Sequence, residues 1–139
     1  MAKAESQSPE ETRRIKYYPI NLLDPQSKLP SGFDALWMSQ FLDCFSDDEI
    51  RAILRKCREV MNDETRVYIL EPFWDRQKFH AAAFSLQMTS LYFTAMANGN
   101  SQMYRSDLFL RLIRESGLEV EHEFDHLGIS HTLLVCRPS

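Results

Sequence analysis

The sequence predicts an α/β domain whose mixed sheet has a parallel part covered by helices and a closing antiparallel hairpin. Three observations carry that prediction. Apolar runs of strand length, Phe33–Phe41 and Arg66–Leu70, alternate with longer stretches of helical periodicity. Ser46 followed three residues later by Glu49 is a capping box, the signature of a helix start. The last two β-rich segments, Glu119–His126 and Thr132–Cys136, are joined by the short stretch Leu127–His131, which can link only antiparallel neighbours.

Taken in order, residues 1–12 form a polar segment bearing alanine and glutamate, read as the end of a helix and a loop at Pro9. Arg14–Pro19 is a short strand candidate, and Asn21–Pro30 is a turn-rich loop with two prolines. Phe33–Phe41 reads as a buried strand running into a loop. The helix opened by Ser46 extends to about Met61, with Ile50, Ile53, Leu54, Cys57 and Val60 on one stripe. Arg66–Leu70 reads as a central strand stopped by Glu71-Pro72. A long helix follows over Arg76–Ala97, broken by Asn98-Gly99-Asn100. Ser106 is expected to cap a further helix that ends at Gly117, whose position suits a left-handed C-terminal residue. One compact unit is expected from residue 33 onward (33–139), with residues 1–32 as a loosely attached N-terminal segment.

Composition narrows the function classes. With 16 Lys and Arg against 20 Asp and Glu, the net charge is -4, and the pI is near 5.5. Nucleic-acid binders need a basic face to neutralise phosphates, so nucleic acid is not an expected partner. The most apolar stretch, Phe79–Ala97, is interrupted by His80, Ser85, Gln87, Thr89 and Ser90, which excludes a membrane span. The N-terminus has no apolar signal core. Cys44, Cys57 and Cys136 are widely spaced and odd in number, as expected for reduced thiols in a cytoplasmic protein. His122, His126 and His131 share the predicted hairpin, but no acidic or cysteine ligand is placed with them, so no metal site is expected.

Five local sequences, in order, resemble one family. Phe33-Asp34-Ala35-Leu36-Trp37 resembles its fourth strand. Phe41 to Glu49 resembles its Leu-His-Asp-Trp-Ser segment, and Ile53-Leu54-Arg55-Lys56-Cys57 resembles the helix that follows. Val67-Tyr68-Ile69-Leu70-Glu71 resembles the fifth strand with its terminal glutamate. Arg105-Ser106 resembles the Arg-Thr pair before the penultimate helix. On these grounds residues 12–137 resemble the C-terminal half of a class I methyltransferase domain of the small-molecule O-methyltransferase kind. The implied fold is a partial Rossmann-like sheet with its first strands absent. The implied cofactor is S-adenosylmethionine, and the implied partner is a small aromatic or hydroxyl-bearing acceptor.

The resemblance also implies site residues. Asn21 and Leu22 stand where the family has an acidic–hydrophobic pair that reads the adenine, so the usual Asp is an Asn here; a plain turn with a core leucine is the alternative. Met38 and Ser39 end the fourth strand, where the family contacts the methionine part of the cofactor; for Met38, core packing is the alternative. Asp43 takes the place of the family's catalytic His. A carboxylate with an ordinary pKa of about 4 is a weak base for a phenol of about 10, so Asp43 needs burial or a more acidic acceptor. Its alternative role is a helix-entry carboxylate at the positive helix end. Glu71, ending the next strand, falls beside the family's acceptor pocket. Phe79, Phe84, Met88, Tyr92, Phe93, Met96, Met103 and Tyr104 fall on that pocket's wall, although residues at helical spacing are more often a core stripe.

The four glycines, Gly32, Gly99, Gly117 and Gly128, are far apart and form no GxG loop. In the family such a loop, with an acidic strand end, holds the methionine and ribose. The resemblance places Met1 on the helix after the second strand, so the chain is expected to be a truncated catalytic domain missing its N-terminal half. The alternative expectation is a non-catalytic methyltransferase-like module that binds a protein partner, or a second copy of itself, through an open sheet edge.

Overall fold

The structure, a computed structural model, describes residues 15–97 and 99–139. The helix end expected within residues 1–12, and Arg14, lie outside them. Four strands form one sheet in the order β1-β2-β4-β3. They are β1 (Ala35–Ser39), β2 (Arg66–Pro72), β3 (Leu118–Leu127) and β4 (His131–Pro138). Strand β1 pairs parallel with β2, with Trp37 opposite Tyr68, while β2–β4 and β4–β3 are antiparallel. The sheet is therefore mixed, as the strand–helix alternation and the short final connection predict.

Helix α1 (Asp47–Val60) starts after Ser46, whose backbone N–H and hydroxyl both donate to the Glu49 carboxylate at 2.9 Å. It buries Ile50, Ile53, Leu54 and Cys57 against the sheet. Helix α3 (Ser106–Glu115) adds Phe109, Leu112 and Ile113 to the same core. Phe73 packs on Phe109 with ring centroids 5.3 Å apart. Along β2 burial alternates: Val67, Ile69 and Glu71 point into this core, whereas Tyr68 and Leu70 are partly exposed. Gly117 follows α3 with φ 79°, the left-handed geometry expected of it.

Three expectations need correction. Residues 15–19 of the strand candidate Arg14–Pro19 are exposed and carry no strand; an extended segment becomes a strand only where a neighbour completes its ladder. Ser106 is not the N-cap of α3 but its first residue, after Arg105. The cap comes from far along the chain: Asp75 accepts the Ser106 backbone N–H at 2.8 Å and its hydroxyl at 2.6 Å. Helix α2 (His80–Met96) begins later than expected, because Trp74–Arg76 forms a separate 3-10 turn, and it buries none of its residues. Phe79, Phe84, Leu91, Tyr92 and Met96 are exposed on or beside it. Of the segment 1–32, the part from Leu22 lies against the body of the domain, with Leu22 and Leu29 packed on the core.

Candidate functional site

The site begins where β1 leaves the sheet. Gln40 turns the chain with φ 45°, a left-handed geometry that a side chain of its size adopts only when its surroundings hold it. Its backbone N–H donates to the Leu70 carbonyl at 2.9 Å, and its side-chain amide lies 2.5 Å from His131 Nε2. The chain then enters a 3-10 turn, Leu42–Cys44, which carries Asp43.

Glu71 anchors that turn. The strand alternation aims its side chain at the core, and only 2% of the residue is exposed. One carboxyl oxygen, Oε1, accepts the backbone N–H groups of Phe41 at 2.9 Å and Leu42 at 2.8 Å. The other, Oε2, is buried with no hydrogen-bond partner among the described residues. Burial, reinforced by the nearby Asp43 charge, pushes the Glu71 pKa up to about 7 against the pull of the backbone N–H groups. Asp43 is half-buried, and desolvation raises its carboxyl above the ordinary range. The Cys44 thiol, raised first by burial and then by Asp43, donates to Asp43 Oδ1 at 3.5 Å. The backbone carbonyl of Asp43 accepts from Gln102 at 2.9 Å, which ties the turn to the segment before α3. The Asp43 charge thus bears on Glu71 at the carboxyl end of the parallel strands.

Beside this pair opens a cavity of about 480 Å3. Leu22 and Leu29 form one wall, Leu36 to Ser39 another, and Ile53 and Cys57 of α1 the floor; Phe41 joins it to the Glu71 anchor. The structure therefore brings Leu22, Met38 and Ser39 together, with Asp43 and Glu71 adjoining through Phe41. Asn21 is not among the lining residues. Its Oδ1 accepts the Leu23 backbone N–H at 3.1 Å, closing a local turn. Sequence reasoning placed Gln40 at the end of the strand, after Ser39, but missed its contact with His131, 91 positions away. It also missed Lys56, buried on the core side of α1. A second cavity, about 570 Å3 and lined from Trp74 to Gln87, shares no residue with the first.

Among the described residues no cluster of three or more His, Cys, Asp or Glu could hold a metal ion, and no helix is long and apolar enough to cross a membrane.

A parallel pair of strands, helices packed into the core beside it and a cavity of ligand size along β1 define a Rossmann-like class of α/β domain. The sequence profile of the O-methyltransferase domain matches residues 1–119, and the chain belongs to that family. No curated protein matches it. Solved structures share its fold. TnmH is 24% identical with a TM-score of 0.79, the match covering 95% of this chain and 37% of that one. The mitomycin 7-O-methyltransferase MmcR is 20% identical with a TM-score of 0.70, covering 87% and 33%. OxaC, solved in complex with SAH and oxaline, is 17% identical with a TM-score of 0.75, covering 93% and 31%. The chain spans about a third of the length of these structures.

Proposed function

We propose that the protein acts as an S-adenosylmethionine-dependent O-methyltransferase on a small, flat acceptor bearing an acidic hydroxyl. The observation that carries this reading is the single residue Phe41, which lines the 480 Å3 cavity and whose backbone N–H is held by the buried Glu71 beside Asp43. A nucleoside-sized apolar slot and a pair of carboxyls of raised pKa are thus placed side by side.

The residues present fit one end of the cofactor. Leu22, Leu29, Leu36, Met38 and Ile53 give apolar walls for a nucleobase ring, and Ser39 offers a hydroxyl at the strand end. The glycine loop and acidic strand end that serve the ribose and methionine have no counterpart in the 139 residues. When bound, the cofactor supplies an electrophilic methyl group. The chain's own residues supply the rest. Asp43, desolvated by its half-buried turn, is a stronger base than an exposed aspartate and accepts the acceptor's hydroxyl proton. Glu71 fixes the turn that carries Asp43. The aromatic and methionine side chains of α2 serve as the acceptor's wall, excluding water from the reacting groups. The three free thiols, Cys44, Cys57 and Cys136, suit a reducing, cytoplasmic setting.

The test begins with the coding sequence upstream of the Met1 codon, so that the longest open frame is the protein assayed. Methyl transfer from methyl-labelled S-adenosylmethionine to a panel of phenols and enols is then followed, alongside S-adenosylhomocysteine binding by calorimetry. Transfer to at least one acceptor, reduced in Asp43→Asn, is expected. Absence of both binding and transfer in the product of the complete frame would sink the proposal.

A further inference from the structure

Lys56 lies on the buried side of α1, one residue from Cys57 in the cavity floor, and is only 8% exposed. Burying an ammonium is costly unless every proton finds an acceptor. Here all three do: Nζ donates to the Asp24 carbonyl at 2.5 Å, the Ser27 carbonyl at 2.9 Å and the Ser27 hydroxyl at 2.7 Å. All three acceptors belong to the loop between Asn21 and Leu29, and none is a carboxylate.

The loop itself is wound into two consecutive turns. The Asp24 N–H donates to the Asn21 carbonyl, the Ser27 N–H to the Asp24 carbonyl and the Gln26 N–H to the Asp24 side chain. Its two ends deliver Leu22 and Leu29 to the cavity wall. The Asp24 carbonyl, at the junction of the turns, also takes the Ser27 hydroxyl and Lys56. One helix therefore provides the floor, through Ile53 and Cys57, and clamps the facing wall through Lys56. We propose that Lys56 is a positioning residue that sets the width of the cavity by fixing the loop carrying Leu22 and Leu29. Its consequence for the cofactor rests on the reading given above, in which that cavity receives the nucleobase end of S-adenosylmethionine.

The clamp is tested with Lys56→Met and Ser27→Ala, singly and together, in the full chain. Ser27→Ala removes one acceptor from the loop side without touching α1, so the test survives even if Lys56→Met fails to fold. Hydrogen exchange at the Asp24 and Ser27 amides should quicken about tenfold in Lys56→Met, while α1 and β2 amides keep their protection. S-adenosylhomocysteine should bind about tenfold more weakly, since ordering the loop would then fall to the ligand. The two substitutions should be non-additive, because each removes the same contact. Unchanged loop exchange in Lys56→Met, or in Ser27→Ala where Lys56→Met does not fold, would overturn the proposal, as would strict additivity of the pair. Quickened loop exchange in Lys56→Met, together with a wild-type protein that binds no S-adenosylhomocysteine, would uphold the clamp and overturn the cofactor reading alone.

Discussion

The Leu42 backbone N–H donates a 2.8 Å hydrogen bond to Glu71 Oε1, so a residue at the end of the central strand holds the first residue of the turn that presents Asp43. The partner oxygen of the same carboxyl is buried and unmatched among the described residues. Protonation removes the charge from the core at the cost of a buried hydroxyl without an acceptor, while Oε1 accepts the two amides in either state. The pKa of about 7 follows from the same burial and from the Asp43 charge beside it.

This has a consequence for stability against pH. The folded pKa is raised above the ordinary glutamate value of 4.5, so Glu71 favours folding below about pH 4.5 and that contribution is lost as pH rises through 7. Full loss corresponds to roughly 3 kcal/mol. Glu71→Gln, which keeps the accepting oxygen and removes the titration, should be less stable than or equal to the wild type at pH 5 and more stable at pH 8. Urea unfolding midpoints of both proteins across that range decide it; parallel curves would mean that Glu71 does not titrate there.

Asp43→Asn should lower the rate of methyl transfer by about 100-fold or more if its carboxylate takes the acceptor proton, with little change in KM. The fold should survive, because the bond from Gln102 goes to the backbone carbonyl of Asp43 and not to its side chain. Steady-state kinetics with the acceptor found in the panel check this. An unchanged rate would leave Asp43 as a helix-entry carboxylate.

Leu22→Ala removes a half-buried wall side chain from the cavity. It should weaken S-adenosylhomocysteine binding by about 1 kcal/mol, close to fivefold, while lowering stability by less than the ~2–5 kcal/mol expected of a fully buried leucine. Calorimetry and a urea melt on the same preparation separate the two effects.

Asp75→Ala leaves the Ser106 amide and hydroxyl without their acceptor at the start of α3. A loss of about 1–2 kcal/mol is expected, as for a helix cap, and Asp75→Asn should recover part of it by keeping an accepting oxygen. The drop should appear in the unfolding midpoint and in faster exchange of the first amides of α3.

Much of the fold was legible in the chain itself. The stripe Ile50, Ile53, Leu54, Cys57 and the Ser46–Glu49 pair are short-range patterns, and α1 follows them. The apolar run ending at Glu71 and the short link Leu127–His131 likewise led to β2 and the antiparallel hairpin. Leu22, Met38 and Ser39, singled out through family resemblance for cofactor contact, line the cavity, whereas the Asn21 side chain closes a local turn outside that lining.

The sequence by itself therefore determined which segments become helices and strands, since helix stripes, caps and strand runs act over a few residues. Only the tertiary structure decided what meets at the site. Glu71 reaches Leu42 across 29 positions, Lys56 reaches Ser27 across 29, Asp75 caps Ser106 across 31 and Gln40 meets His131 across 91. The Glu71 and Gln40 contacts depend on the register in which β1, β2 and β4 align, and the Lys56 and Asp75 contacts on how helices and loops pack beside them; no local pattern encodes either. Arg14–Pro19 marks the converse: strand-like in composition, its described residues carry no strand, because a ladder needs a second chain segment beside it.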